Sequence, residues 1–204
     1  MLIPLHELVN KYKINFRGIL HVGAHECEEL NDYLKYLSMD KISWVEAIPK
    51  KVKLCKERFP NILIENAIVS DKVENIRFNV SNNGQSSSIL EFGLHSFFHP
   101  HVHYIGYFEG QTKLLKDIIC NYNIEYNFLN FDIQGAELKA LKGMEEYLTK
   151  VDYIYIEVNS DYVYKECALI DEIDNYLLQF GLKRVETKWC ENYRWGDAFY
   201  IRNL

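Results

Sequence analysis

A chain of 204 residues, 48% hydrophobic and 14% aromatic, carries enough apolar side chain for one ordinary domain, which excludes disorder and a fold dependent on disulfides or metal. Its net charge of -6 offers no general attraction to nucleic acid or an anionic membrane, and the one short basic stretch, Lys50 to Lys56 with Arg58, reads as a solvated helix face. Five cysteines without any C-x-x-C spacing point to a reducing, cytoplasmic setting, and no apolar run reaches the length of a membrane span.

Residues 1–17 form an amino-terminal extension that lacks a signal-peptide pattern. Gly18 to Ala24 (GILHVGA) is a short apolar strand ending in a glycine turn, and Glu26 to Leu37 follows with Leu30, Tyr33, Leu34 and Leu37 at helical spacing. A second strand spans Ile42 to Ala47, a helix Lys50 to Phe59 is stopped by Pro60, and a third strand covers Asn61 to Val69. Ile76 to Val80 adds a strand, and residues 81–111 form a loop or lid on the substrate side, polar at SNNGQSSS and irregular from Leu90 to Gly110. Thr112 to Tyr122 reads as helix, Tyr126 to Ile133 as the fourth strand, Ala136 to Leu148 as helix and Tyr153 to Val158 as the fifth strand. A helix from Leu169 to Phe180 closes on Gly181. Two β-rich runs, Lys183 to Trp189 and Ala198 to Ile201, have only a loop between them and must therefore pair antiparallel. The alternation specifies an α/β, Rossmann-like domain over 1–204, with a mostly parallel seven-stranded sheet, a terminal antiparallel hairpin and helices on both faces.

Ligands of such sheets bind at the carboxyl ends of the strands. After the first strand, Gly23 lets a backbone approach a ligand closely, and the helix start beyond it offers free N–H groups. Glu46 ends the second strand, where a carboxylate accepts hydrogen bonds from ribose hydroxyls. One glycine in this turn, where a dinucleotide fingerprint needs three, fits S-adenosylmethionine better than a nicotinamide cofactor. Asp132 ends the fourth strand, and Glu157 and Asn159 the fifth. These three oxygen-bearing side chains leave three roles open: holding a hydroxyl substrate, acting as general base, or binding a hard cation such as Mg²⁺. The segment from His95 to Tyr104 holds four of the seven histidines, and His99, His101 and His103 would share one face if extended. It reads as a substrate-facing lid that supplies a histidine base, as a transition-metal site that no cysteine or acid within the segment completes, or as an ordinary amphipathic loop.

In HVGAHE, VEAIP, the SSSI loop, NFDIQGAELKALKG and YIEVN the chain resembles the FkbM-type methyltransferases, a branch of the class I enzymes that use S-adenosylmethionine. The resemblance runs from about Gly18 to Ile201. It implies that Gly23, Ala24 and His25 line the cofactor's methionine part, that Glu46 holds the ribose, and that Asn66 and Ala67 face the adenine. Ser86 and Ser88 match a serine-rich loop near the cofactor, and Asp132 an acidic position beside the sulfonium. His21 stands where many relatives carry Asp, which places in doubt any hydrogen bond from that acid. Tyr193, Trp195 and Asp197 resemble acceptor-side residues of a subset of the family, and Gln134, Glu157 and Asn159 complete the expected substrate wall.

The implied reaction is O-methylation of a hydroxyl on a sugar, glycan or related small metabolite, with Asp132, His95 or His99 as base. Two alternatives stand beside it: a Mg²⁺-dependent catechol-type O-methyltransferase using Asp132, Glu157 and Asn159, and a non-catalytic binding module that keeps the fold. No nucleic-acid or membrane partner is expected, and the pattern leaves monomer and homodimer equally open.

Overall fold

The computed structural model describes residues 1–202. Seven strands form the main sheet: β1 (Ile19–Val22), β2 (Ile42–Glu46), β3 (Leu63–Asn66), β7 (Phe128–Phe131), β8 (Tyr153–Asn159), β9 (Leu182–Trp189) and β10 (Trp195–Arg202). Their order is β3-β2-β1-β7-β8-β10-β9, and β10 alone runs antiparallel to its neighbours. A second sheet, β4-β6-β5, is built from β4 (Ile68–Val69), β5 (Asn75–Ser81) and β6 (Tyr104–Lys113).

Period two along the strands sorts their side chains between two cores. Ile19, Trp44, Phe128, Tyr155 and Phe199 face α1 (Leu5–Tyr12), α2 (Leu30–Tyr33) and α3 (Pro49–Arg58). Leu20, Val22, Val45, Leu129, Phe131 and Ile156 face α5 (Leu115–Ile119), α6 (Glu137–Lys142) and α7 (Ile170–Leu178), with α4 (His95–Phe98) lying apart above the carboxyl edge. Each fully buried side chain of this kind contributes about 1.5–3 kcal/mol. Among the described residues no helix is long and apolar enough to cross a membrane.

Several expected elements are shorter or divided. The helix expected over Glu26 to Leu37 is reduced to α2, because His25 and Cys27 adopt φ of 44° and 59° and the chain turns instead of winding. These turns bring the free thiols of Cys27 and Cys55 to 3.4 Å. The third strand splits at Ala67, whose N–H donates to the Glu46 carbonyl, so that β3 stays in the main sheet while β4 joins the second. The irregular segment conceals a ten-residue strand, β6, which displaces the start of the expected helix from Thr112 to Leu115. Most of β6 is exposed, so it has no buried alternation to read; its backbone ladder with β5 holds it. The helix expected over Ala136 to Leu148 stops at Lys142, then resumes as a 3₁₀ turn at Glu145–Lys150, because Glu145 adopts a φ of 49°.

Register across β1, β7 and β8 is fixed at their amino ends by Asn127, which is fully buried. Its Oδ1 accepts from the Arg17 N–H at 2.7 Å, while its Nδ2 donates to the Asn15 carbonyl at 2.9 Å and to Asp152 Oδ2 at 3.0 Å. Val22 then pairs with Phe131, so Gly23 meets Asp132 at the opposite edge. Asn127→Leu would leave several of these groups unpaired in the core. We expect it to cost about 2–4 kcal/mol, read from the urea unfolding midpoint, and expect Asn127→Asp to cost at least as much, because it turns a buried carboxylate oxygen against the Asn15 carbonyl and Asp152.

Candidate active site

At the carboxyl edge the strand ends diverge around a cavity of about 530 Å³, a volume typical of small-ligand sites. Period two carries His21, Glu46, Asp132, Glu157 and Asp197 onto the face packed by α1 to α3, and all five line the cavity. Gly23 forms its floor at a φ of 96°, and a Cβ built there would lie 1.8 Å from the Asp132 carbonyl oxygen. No other residue fits that backbone contact, so glycine here serves the packing of β1 on β7 as well as the approach of a ligand.

Glu46 is buried and clamps the turn. Its Oε2 accepts from the His25 N–H and its Oε1 from the Ile48 N–H, both at 2.8 Å. Burial raises its pKa despite these bonds. Each oxygen keeps a lone pair for a further donor. The His25 side chain bonds Glu28 through Nδ1 at 2.5 Å, while its buried Nε2 lacks a partner.

The turn from β7 into α6 carries Gln134 at a φ of 58°, followed by Gly135 at 97°. Contacts on every side over-determine this strained conformation. Gln134 Nε2 donates to Asp132 Oδ1 at 2.6 Å and to Glu157 Oε2 at 3.1 Å, its Oε1 accepts from the Tyr164 hydroxyl at 2.6 Å, and its carbonyl accepts from Ser88 Oγ at 2.8 Å. Glu137 accepts from the Ile133 and Gly135 N–H groups at 3.0 and 3.1 Å, and Asp197 accepts from the Tyr155 hydroxyl and the Leu2 N–H.

Four acids therefore crowd one edge of the sheet. Asp132 keeps accessible surface toward the cavity, yet the protein walls around it and the charge of Asp197 push its carboxyl up to about 6. Burial is the larger cause. Burial likewise pushes Glu137 up to about 7, and burial with the neighbouring charges of Asp132 and Glu137 holds Glu157 well above the carboxylate range.

The lid brings His95, His99 and His101 to the opposite wall. His95 is buried, stacks on Phe92 at 4.2 Å, and bonds Ser86 Oγ through Nε2 at 3.2 Å, while burial lowers its pKa to about 4. His99 stacks on Tyr193 at 4.6 Å. The face that His99, His101 and His103 would share in an extended run does not form, because α4 ends at Phe98 and the chain turns; His103 is exposed away from the cavity.

Of the residues singled out in the sequence, Gly23, His25, Glu46, Ala67, Ser86, His95, His99, Asp132, Gln134, Glu157, Trp195 and Asp197 line the cavity. Four do not. Ala24 packs into the core beneath, and Asn66 spends its amide on the Glu46 and Ala47 carbonyls at 2.9 and 3.0 Å. Ser88 is sealed under the Gln134 turn, and Asn159 is buried with an unpartnered Oδ1. Asn159 thus stands off the wall, and the Gln134 amide fills the place between Asp132 and Glu157, so these three residues do not fit Mg²⁺. Among the described residues no group of three or more His, Cys, Asp or Glu is arranged to hold a metal ion. Lining residues missed in the sequence include Tyr164, which carries no local signal, and Gly84, whose Asn-Gly pair is a readable turn.

A family model described as the methyltransferase FkbM domain matches residues 21–184. The 2-O-methyltransferase NoeI of Sinorhizobium fredii is 26% identical over 176 residues, which are 80% of this chain and 72% of that protein. An S-adenosylmethionine-dependent methyltransferase from Clostridium acetobutylicum superposes with a TM-score of 0.54 at 8% identity, covering 98% of this chain and 89% of the other. Magnesium protoporphyrin IX methyltransferase from Synechocystis, solved with bound S-adenosylmethionine, gives 0.52 at 9% identity over 97% and 76%. Both share the class I methyltransferase fold.

Asp132, Glu137 and Glu157 hold their protons more tightly folded than unfolded, so the folded chain binds more protons between about pH 4 and 7 and loses stability as pH rises through that window. We expect the melting temperature of the ligand-free protein to fall from pH 5 to pH 7.5. Glu157→Gln should flatten that slope and gain about 1 kcal/mol at pH 7.5, seen by scanning fluorimetry as a rise of roughly 2–4 °C.

Proposed function

We propose, from the premise that this chain belongs to the FkbM methyltransferase-domain family and takes S-adenosylmethionine as its methyl donor, that it methylates a hydroxyl of a sugar or related small metabolite. The observation that carries this reading is the convergence of the Gly23 turn, Glu46 and Asp132 on one cavity whose opposite wall is aromatic. The residues present fit the cofactor. Gly23 offers close backbone for its amino-acid part, the free lone pairs of Glu46 suit ribose hydroxyls, and Ala67 and Ile48 give an apolar slot for the base. When bound, it supplies a methyl group already activated on a positively charged sulfur.

The chain then has two tasks, alignment and proton removal. Alignment is the larger, since well-placed partners reach effective molarities on the order of 10⁵ to 10⁸ M. The aromatic run from Phe97 through Phe98 and Tyr193 to His99 connects the outer surface to the cavity wall and suits the apolar face of a pyranose. Asp132 receives the hydroxyl proton. A carboxyl pushed up to about 6 is ionised at neutral pH yet basic enough to share a proton late in the reaction. His95, lowered to about 4 and bonded to Ser86, orients the lid, while His99 contacts the acceptor. The relative named a 2-O-methyltransferase supports an oxygen acceptor. No lysine or arginine lines the cavity among the described residues, which disfavours phosphorylated and nucleic-acid acceptors.

Transfer of labelled methyl from S-adenosylmethionine to rhamnosyl, fucosyl and glucosyl acceptors tests the reading: incorporation into at least one supports it, and incorporation only into amines or carboxylates rejects it. With an active acceptor, Asp132→Asn should lower kcat by about 10²-fold or more, the scale of a lost general base, and His95→Ala by less than tenfold; normal turnover in Asp132→Asn removes the base assignment. Tyr193→Ala should raise the acceptor KM about fivefold, the worth of one aromatic stack, with kcat nearly unchanged.

A further inference from the structure

A polar row crosses an otherwise apolar face of the sheet. Trp44, His21 and Asn130 are register partners on β2, β1 and β7, on the side packed by α1 to α3. His21 is 3% exposed and stacks on Trp44 at 4.7 Å with 24° between the rings. Asn130 Nδ2 donates to the Tyr33 hydroxyl oxygen at 2.8 Å, and that hydroxyl lies 3.1 Å from His21 Nδ1. Having accepted from the amide, the hydroxyl has its proton to give, so Nδ1 accepts. A neutral imidazole that accepts at Nδ1 carries its proton on Nε2. Burial keeps the ring neutral, lowering its pKa to about 4.

His21 also lines the cavity, and its Nε2 is neither hydrogen-bonded within the protein nor among the sealed polar atoms. The row therefore ends in one open N–H. Around it stand Glu28, Glu29, Glu46, Asp132 and Asp197, with no lysine or arginine among the described lining residues. A zwitterionic amino acid placed there finds ample acceptors for its ammonium; the cation on the described lining, the Met1 α-ammonium, is already paired with Glu29 at 3.7 Å, so the open His21 N–H is a further donor for the carboxylate.

We propose that His21, fixed as the Nε2–H tautomer by Tyr33 and Asn130, donates the hydrogen bond that receives the carboxylate of the cofactor's amino-acid part. His21 is thereby a binding residue of the cavity and not a base. The assignment rests on the cavity being the cofactor site.

Two measurements test it without turnover. Nitrogen-15 NMR of the ligand-free protein should show His21 Nδ1 unprotonated and Nε2 protonated, and Tyr33→Phe should abolish that single-tautomer signature. Calorimetry should then compare S-adenosylhomocysteine with its analogue lacking the carboxylate. His21→Phe should weaken the first by about tenfold or more, as for a hydrogen bond to a charged group, and the second by less than twofold; His21→Gln, which keeps a donor, should recover part of the loss. An Nδ1–H tautomer, or equal losses for both ligands in His21→Gln and His21→Phe, overturns the proposal. Failure of S-adenosylhomocysteine to bind the unaltered protein rejects the cavity as the cofactor site, a separate result from the tautomer.

Discussion

Gly23 packs against the Asp132 carbonyl so closely that a Cβ in its place would come within 1.8 Å of that oxygen, and the geometry of the carboxyl edge follows from this contact. It can form only because β1 and β7 are held in register, with Asn127 tying their amino ends and the Val22–Phe131 pair placing the two turns side by side. From the glycine turn the chain reverses through His25, whose N–H closes on Glu46 at the end of β2. From Asp132 it reverses through Gln134, which reaches Glu157 on β8 and Tyr164 beyond it. One backbone contact thus aligns four strand ends around a single cavity.

The electrostatics of that cavity are one-sided. Carboxylates close to one another in a partly buried space raise one another's pKa, and the fold contains the strain mainly with neutral donors, beside the Met1 ammonium that pairs with Glu29. Backbone N–H groups serve Glu46 and Glu137, and the Gln134 amide bridges Asp132 and Glu157. Such a site favours a ligand that brings positive charge, as a sulfonium with an ammonium does. It also leaves Asp132 poised near neutrality, where a carboxylate can accept a proton and release it again.

Much of this edge was legible in the sequence, for physical reasons. Strands buried on both faces leave continuous apolar runs, so β1, β2, β7 and β8 stood out, and an acid closing such a run, as Glu46, Asp132 and Glu157 do, has to face the edge. Features governed by backbone turns were hidden. Positive φ at His25, Cys27 and Glu145 shortened two helices, although none of these residue types announces it. The exposed strand β6 owes its form to a ladder with β5 and not to apolar alternation, and the histidine segment before it turns at the end of α4 instead of running extended. Asn66, Ser88 and Asn159 sit near the site in sequence terms, yet each turns its polar atoms to the protein's own backbone or interior.

The most direct test is a crystal structure of the protein with S-adenosylhomocysteine. The thioether sulfur is expected in the cavity between the Gly23 turn and the Asp132 side chain, with the ribose hydroxyls on the Glu46 carboxylate. Density for the ligand at any other place, or in this cavity with Glu46 turned away and Asp132 covered by protein, would contradict the assignment of this edge as the methyl-transfer site.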